Sequence, residues 1–154
     1  MSNERTFVMI KPDGIARRLI GECICRFEKR GLKLVAMKMQ ILTQEKAEEH
    51  YQEHKGKDFY ESLIRFICSG PTIQMIWEGE DAINQVRNMI GNTNPLKANP
   101  GTIRGDFALI TQMNIVHASD KPESAEREIS IYFRPEDILE YGVDDEQWLT
   151  ISRR

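Results

Sequence analysis

The sequence predicts an α+β domain whose helices pack on a sheet of the ferredoxin-like, split β-α-β kind. Three observations lead there. Segments of strand and helix periodicity follow one another in the order strand, helix, strand, helices, strand, helix, loop, short strand, helix. The second and third strand segments are too short and too near each other for a doubly wound topology, which favours antiparallel pairing. The chain has 154 residues, one domain's worth, with few to spare beyond two β-α-β units.

Thr6-Phe7-Val8-Met9-Ile10 is a near-continuous apolar run, as in a central strand covered on both faces. Lys11-Pro12-Asp13-Gly14 ends it: Pro12 lacks a donor and Asp-Gly favours a turn, so Lys11 closes the strand with its ammonium at the sheet's edge. Gly21 to Arg30 reads as a helix with Ile20, Ile24 and Phe27 on one stripe, stopped by Gly31. Leu34 to Ile41 alternates through Val35, Met37, Met39 and Ile41 as a second strand. Thr43 is a good N-cap for the helix running to Tyr51.

After a break at residues 54–58, Phe59 to Ile67 resumes helical spacing, and Ser69-Gly70-Pro71 terminates it. Thr72 to Trp77 is a third strand, Glu78-Gly79-Glu80 a turn, and Asp81 to Ile90 a helix with Ile83, Val86 and Ile90 inward. Residues 93–105 form a long segment held in shape by Pro95 and Pro100; a loop this long in a compact domain is usually functional. Phe107 to Ile110 is too short to assign by periodicity. Pro122 suits the first position of a helix to Phe133, with Ala125, Ile129 and Tyr132 or Phe133 inward. Residues 134–154 read as a C-terminal docking tail with Ile138, Leu139, Tyr141 and Trp148 as docking points.

Composition narrows the function classes. Apolar residues make up 40% and charged residues 29%, ordinary for a soluble globule. A net charge of -3 gives no bulk cationic field, so nucleic-acid binding is not expected as the main role. No apolar run approaches the roughly 20 residues of a membrane span, and no secretory signal is visible at the N-terminus. Cys23, Cys25 and Cys68 are odd in number and lack zinc spacing; they read as free, mostly packed thiols in a reducing cytoplasm.

The stretch Asn114-Ile115-Val116-His117-Ala118-Ser119-Asp120 concentrates the chemistry. His117 follows a β-branched pair and precedes small and polar residues, the pattern of a strand end that delivers a ring into a site. Such a ring serves as nucleophile, base or ligand, or else as a core histidine bonded to a carbonyl. Lys11, Arg87 and Arg104 each follow or close an element, and with His117 they could surround a polyphosphate through planar forks and a point charge. The P-loop, G-x-G-x-x-G, H-E-x-x-H and G-x-S-x-G patterns are all absent, so a phosphate site must be built from side chains and loop backbone.

These residues carry a resemblance to the nucleoside diphosphate kinase family over nearly the whole chain. The matching pieces are residues 4–14, from Glu4 to Gly14, and 31–38, from Gly31 to Lys38. His50-Tyr51, Phe59-Tyr60, Gly70-Pro71 and Trp77-Glu78-Gly79 follow, then Thr93-Asn94-Pro95, residues 100–106, and Asn114-x-x-His117-Ala118-Ser119-Asp120 with Glu128. The pattern N-x-x-H-[GA]-S-D is specific, and here it is in register with every other block.

The resemblance implies a four-stranded antiparallel ferredoxin-like sheet with the histidine on its last strand, in a single domain spanning 1–154. It implies an enzyme that moves the γ-phosphate of a nucleoside triphosphate to a nucleoside diphosphate by ping-pong through a phosphohistidine, maintaining NTP and dNTP pools. On that pattern His117 is the nucleophile, Glu128 orients its ring and Ser119 holds Glu128. Lys11, Tyr51, Arg87, Thr93 and Arg104 surround the phosphates. Asn114 joins Lys11 at the ribose hydroxyls, and Phe59 stacks on the base with Leu63 beside it. Mg²⁺ is the implied cofactor, bridging the nucleotide's own phosphates, with no direct protein ligand and Asp120 as a water-mediated partner. Thr111 departs from the family, which often has an aliphatic residue opposite the stacking phenylalanine. The long C-terminal segment implies a homo-hexamer in the cytoplasm. A nucleotide sensor without turnover is the competing reading on the same fold; the intact set His117, Lys11, Arg104, Asn114 and Glu128 argues against it.

Overall fold

The computed structural model describes residues 4–149. Its elements run β1 (Glu4–Ile10), α1 (Pro12–Ala16), α2 (Ile20–Arg30), β2 (Lys33–Gln40), α3 (Gln44–His50), α4 (Tyr60–Ile67), β3 (Thr72–Gly79), α5 (Ala82–Ile90), α6 (Ile103–Phe107), β4 (Val116–Ala118) and α7 (Pro122–Tyr132). The four strands form one sheet in the order β2-β3-β1-β4, every pair antiparallel. This is the expected architecture.

The apolar run of β1 explains why the sheet is covered twice. Val8 and Ile10 face one side, where they join Phe27 of α2, Trp77 of β3 and Val86 and Ile90 of α5. Phe7 and Met9 face the other, against Ala47 of α3, Ile64 and Ile67 of α4, and Ile131 and Tyr132 of α7. All four are fully buried, and each contributes roughly 1.5–3 kcal/mol by leaving water. Local signals set the ends of the helices. Gly31 closes α2 in the left-handed region at φ 104°. Thr43 caps α3 by accepting from the Lys46 amide, and Pro122 opens α7.

Several expectations are corrected. Pro12-Asp13-Gly14 is not a turn but the start of α1, because proline at N1 forgoes only an amide that a helix leaves unpaired anyway. Lys11 sits inside rather than at a wet edge, 6% exposed. A register shift between Leu34 and Ala36 makes Val35 an extra residue in β2. Val35 and Ala36 are therefore both buried, Met37 and Met39 are exposed on this edge strand, and Ile41 is exposed just past its end. β3 runs through Glu78 to Gly79. The long segment is shorter than expected, since Pro95–Lys97 forms a 3-10 turn and Ile103–Phe107 is helical.

Beyond α7 the chain returns along β2. The Leu139 amide donates to Val35 O at 2.9 Å, the Tyr141 hydroxyl donates to Leu34 O, and Lys33 Nζ meets Glu146 Oε1 at 2.9 Å. Ile138 is half-buried, while the side chains of Leu139, Tyr141 and Trp148 are exposed. The last five residues of the expected docking tail, 150–154, lie outside the described residues. Among the described residues no helix is long and apolar enough to cross a membrane.

Candidate active site

The site is built where β4 meets the end of β1. β4 has only three residues, with His117 opposite Met9, so its ring emerges on the face covered by α3, α4 and α7. The approach to this strand is forced. Ile115 stands at φ 75°, in the left-handed region, an arrangement that costs a β-branched residue of order 1–3 kcal/mol. Three hydrogen bonds hold it: the Ile115 amide donates to Asp13 Oδ2 at 2.9 Å, while Ile115 O accepts from the Lys11 amide at 2.8 Å, and the Val116 amide donates back to Asn114 O at 2.8 Å. Gly14 is required beneath this turn, because a Cβ there would lie 2.9 Å from Ile115 O. Asp13 is a site-building residue that the motif search passed over as a turn former.

The His117 side chain is 24% exposed, so one edge of the ring is reachable. Its Nε2 lies 3.0 Å from Glu128 Oε1, and Ser119 Oγ donates to that same oxygen at 2.6 Å. Burial works to raise the Glu128 pKa, but the His117 charge and hydrogen bond, helped by His50 and Ser119, overcome it and hold the carboxyl below its usual range. An ionised Glu128 requires the proton at Nε2, which leaves the ring's lone pair on Nδ1. The geometry therefore selects Nδ1 as the nitrogen with the free lone pair.

His50 forms the inner wall and was singled out from the sequence only as part of a matching block. It lies 4.7 Å from His117, centroid to centroid, nearly edge-on at 75°, and its Nδ1 is 2.9 Å from the Tyr132 hydroxyl. Burial, then the neighbouring His117, push its pKa down to about 3, so it stays neutral. Tyr51 is buried against it at 4.6 Å, its phenol pushed well up by burial.

The cations gather around the backbone of β4 and its approach. Arg104, at the start of α6 and almost fully buried, donates from Nη1 to Gly91 O at 3.0 Å, from Nη2 to Val116 O at 2.6 Å and from Nε to Asn114 O at 3.3 Å. Burial, then Arg87, lower its pKa to about 10. Arg87 donates from Nη1 to Ala118 O at 3.0 Å. Lys11 Nζ donates to Asn114 Oδ1 at 2.7 Å and to Gln112 O at 2.9 Å, and burial takes its pKa down to about 8. Asn114 Nδ2 in turn donates to Thr93 O at 2.9 Å. Lys11, Asn114, Thr93 and Arg104 are thus one connected set, joined through Val116 and Ala118 to Arg87 and His117.

Phe59 precedes α4 and is 47% exposed, with Leu63 half-buried one turn on. Ser62 Oγ donates to Gln112 Oε1 at 3.1 Å, which brings the loop bearing exposed Thr111 to the start of α4. Asp120 is exposed just past β4. The arrangement offers a part-exposed imidazole on a strand whose backbone is held by Arg87 and Arg104, with Phe59 exposed just before α4.

A family model described as nucleoside diphosphate kinase matches residues 4–138. A nucleoside diphosphate kinase of Carboxydothermus hydrogenoformans is 53% identical, over 95% of this chain and 98% of that protein. One from Methanocaldococcus jannaschii is 60% identical over 89% and 98%. Among solved structures, a halophilic nucleoside diphosphate kinase from Halobacterium salinarum, in complex with CDP, superposes with a TM-score of 0.93 at 44% identity, covering 95% of this chain and 97% of that one. A nucleoside diphosphate kinase family protein from Babesia bovis does so with a TM-score of 0.93 at 46% identity, covering 96% and 99%.

Proposed function

The chain belongs to the nucleoside diphosphate kinase family and transfers a phosphoryl group from a nucleoside triphosphate to a nucleoside diphosphate; from that premise we propose the division of labour among its residues. His117 Nδ1 attacks the γ-phosphorus. A P–N bond forms, the bond to the β,γ-bridging oxygen breaks, and the nucleoside diphosphate leaves with the electron pair. A second diphosphate then attacks the phosphohistidine through a terminal oxygen and regenerates the imidazole. Covalent transfer splits one demanding displacement into two. Glu128 keeps the proton on Nε2 and offsets the charge that builds on the ring, and Ser119 fixes Glu128.

Lys11, Arg87, Arg104, Tyr51 and Thr93 hold the phosphates, where positioning and charge stabilisation supply most of the catalysis. Asn114 and Lys11 bind the ribose hydroxyls, and Phe59 and Leu63 take the base. Stacking reads any π-face, so base selectivity is weak. Asp120, an exposed carboxylate, suits a Mg²⁺ ion held through water, because this ion keeps several waters and leans on substrate phosphates. When bound, Mg²⁺ supplies neutralising charge to the β- and γ-oxygens. The enzyme works in the cytoplasm, where free Cys23, Cys25 and Cys68 stay reduced, and there it maintains NTP and dNTP pools.

The observation that carries this reading is the Ser119–Glu128–His117 chain behind a reachable ring. Incubation with γ-labelled ATP and Mg²⁺ leaves an acid-labile, base-stable label on the protein; absence of label overturns the covalent route.

Three further outcomes are expected. First, Lys11 titrates near pH 8 in the folded chain and near 10.5 unfolded. Its buried charge therefore costs stability at neutral pH, a cost relieved as pH rises from about 8 to 10.5. Nucleotide affinity moves the opposite way, weakening above about pH 8 as the ammonium is lost. Binding titrations from acid to alkaline pH test this, and Lys11→Met removes the alkaline limb. Second, Thr111→Val binds nucleotide slightly better, by up to about 1 kcal/mol, because a methyl replaces a hydroxyl beside the base; a clearly weaker Kd refutes it. Third, the native mass is that of a hexamer, with exposed Met37 and Met39 on the edge strand β2 and Ile41 just past it as apolar surface for a neighbour to cover. A monomer or dimer at micromolar concentration counts against it.

A further inference from the structure

We propose that His50, His117 and Glu128 form a site for a borderline-soft divalent cation of the Zn²⁺ class, and that its occupancy switches phosphoryl transfer off. The switching half rests on His117 being the nucleophile. The three residues come from α3, β4 and α7, and one ligand atom from each lies within 4.8 Å of the others. Two imidazoles and one carboxylate, with a position left for water, are a donor set that zinc takes. Mg²⁺, which prefers an all-oxygen shell, does not.

A second observation points to a ligand. His50 is 2% exposed, and its Nε2 is buried with no hydrogen-bond partner among the described residues. An orphaned ring nitrogen in that position is disfavoured until something binds it. The other nitrogen is occupied, 2.9 Å from the Tyr132 hydroxyl, and Tyr132 is itself stacked on Phe7 at 5.0 Å. When Nδ1 donates to that phenol oxygen, the lone pair falls on Nε2, as a metal ligand requires, and the ring plane is already fixed. A tetrahedral edge for zinc is roughly 3.4 Å, given bonds near 2.0–2.1 Å, so the widest pair closes on binding. The part-exposed His117 edge is the route in.

The bound cation engages Glu128 and His117, breaking the 3.0 Å link between them and placing positive charge beside the ring. The ring's one proton moves from Nε2, now bound to the cation, to Nδ1, so the lone pair that would attack phosphorus is gone.

Zn²⁺ alone is titrated into the full-length protein by calorimetry, in a Cys25→Ser background that removes the exposed thiol, while imidazole ¹⁵N resonances are followed. The expected result is one equivalent bound with Kd on the order of micromolar, His50 and His117 resonances shifted, and His54 unmoved. His50→Gln weakens binding at least about tenfold, and Tyr132→Phe weakens it less. Zn²⁺ also blocks labelling by γ-labelled ATP, and a chelator restores it. Binding that leaves the His50 resonance unmoved, or survives His50→Gln unchanged, overturns the site. If His50→Gln does not fold, the wild-type resonances decide alone. Zinc-induced shifts at His50 and His117 in a protein that never takes label would retain the site and overturn the covalent route instead.

Discussion

His117→Ala lowers kcat by about 10⁵–10⁶-fold, the range for removing a nucleophile whose partners act as a unit, while nucleotide affinity changes by less than about tenfold. The separation follows from the geometry. The His117 ring touches Glu128 and His50. Lys11, Arg87 and Arg104, assigned to phosphate and ribose, are tied instead to Asn114 and to backbone carbonyls of residues 91, 112, 114, 116 and 118. Deleting the imidazole therefore removes the acceptor atom and leaves the cradle standing. Single-turnover assays with labelled ATP, with a parallel nucleotide titration, check both halves. Label that survives the substitution moves the nucleophile to another residue, and an equal fall in affinity makes His117 part of the binding surface.

The largest effect on stability is expected at Arg104. Its guanidinium gathers Gly91 O at the end of α5, Asn114 O before the strained turn and Val116 O in β4. Arg104→Ala strands Gly91 O and Val116 O, each worth about 1–3 kcal/mol when left unpaired inside the protein, while Asn114 O keeps the Val116 amide. It also relieves the repulsion from Arg87 and the burial of a charge, so the net loss is about 2–4 kcal/mol. For a chain of this size that lowers Tm by roughly 10 °C. Arg104→Lys recovers only part of it, because an ammonium cannot span three acceptors in one plane. Activity falls as well, since β4 carries His117, the proposed nucleophile. Denaturant unfolding of the two variants measures this directly; a Tm within about 2 °C of the parent would mean that Arg104 supports the phosphates and not the fold.

Much of this was readable before any coordinates. Apolar runs and alternation located the first three strands, period-3.6 patterns the principal helices and the β-branched pair before His117 the last strand, and Thr43, Gly31 and Pro122 marked boundaries where the backbone chemistry is local. Lys11, Arg87 and Arg104 were readable as candidates because they follow or close elements, and Asn114 through the resemblance that its N-x-x-H-[GA]-S-D pattern carries. What escaped depended on distant partners. His50 looks like the last turn of a polar helix, and nothing in the string reveals that the turn is buried against Tyr132 and His117. Pro12-Asp13-Gly14 suits a turn and a helix start equally well; only the Asp13 bond to the Ile115 amide, across the chain, decides. The bulge in β2 inverts which alternate residues are covered, and its position is set by pairing with β3.

Ile115 has a consequence for anyone who selects this enzyme for heat tolerance. Its left-handed backbone is a reservoir of instability, and a screen that rewards only survival at high temperature will find replacements there, or at Asp13, that let the peptide relax. Relaxation would swing the peptide plane two residues ahead of the catalytic ring. Hardened clones carrying such changes should come out long-lived and sluggish, so a thermal screen of this chain needs a turnover assay run alongside it.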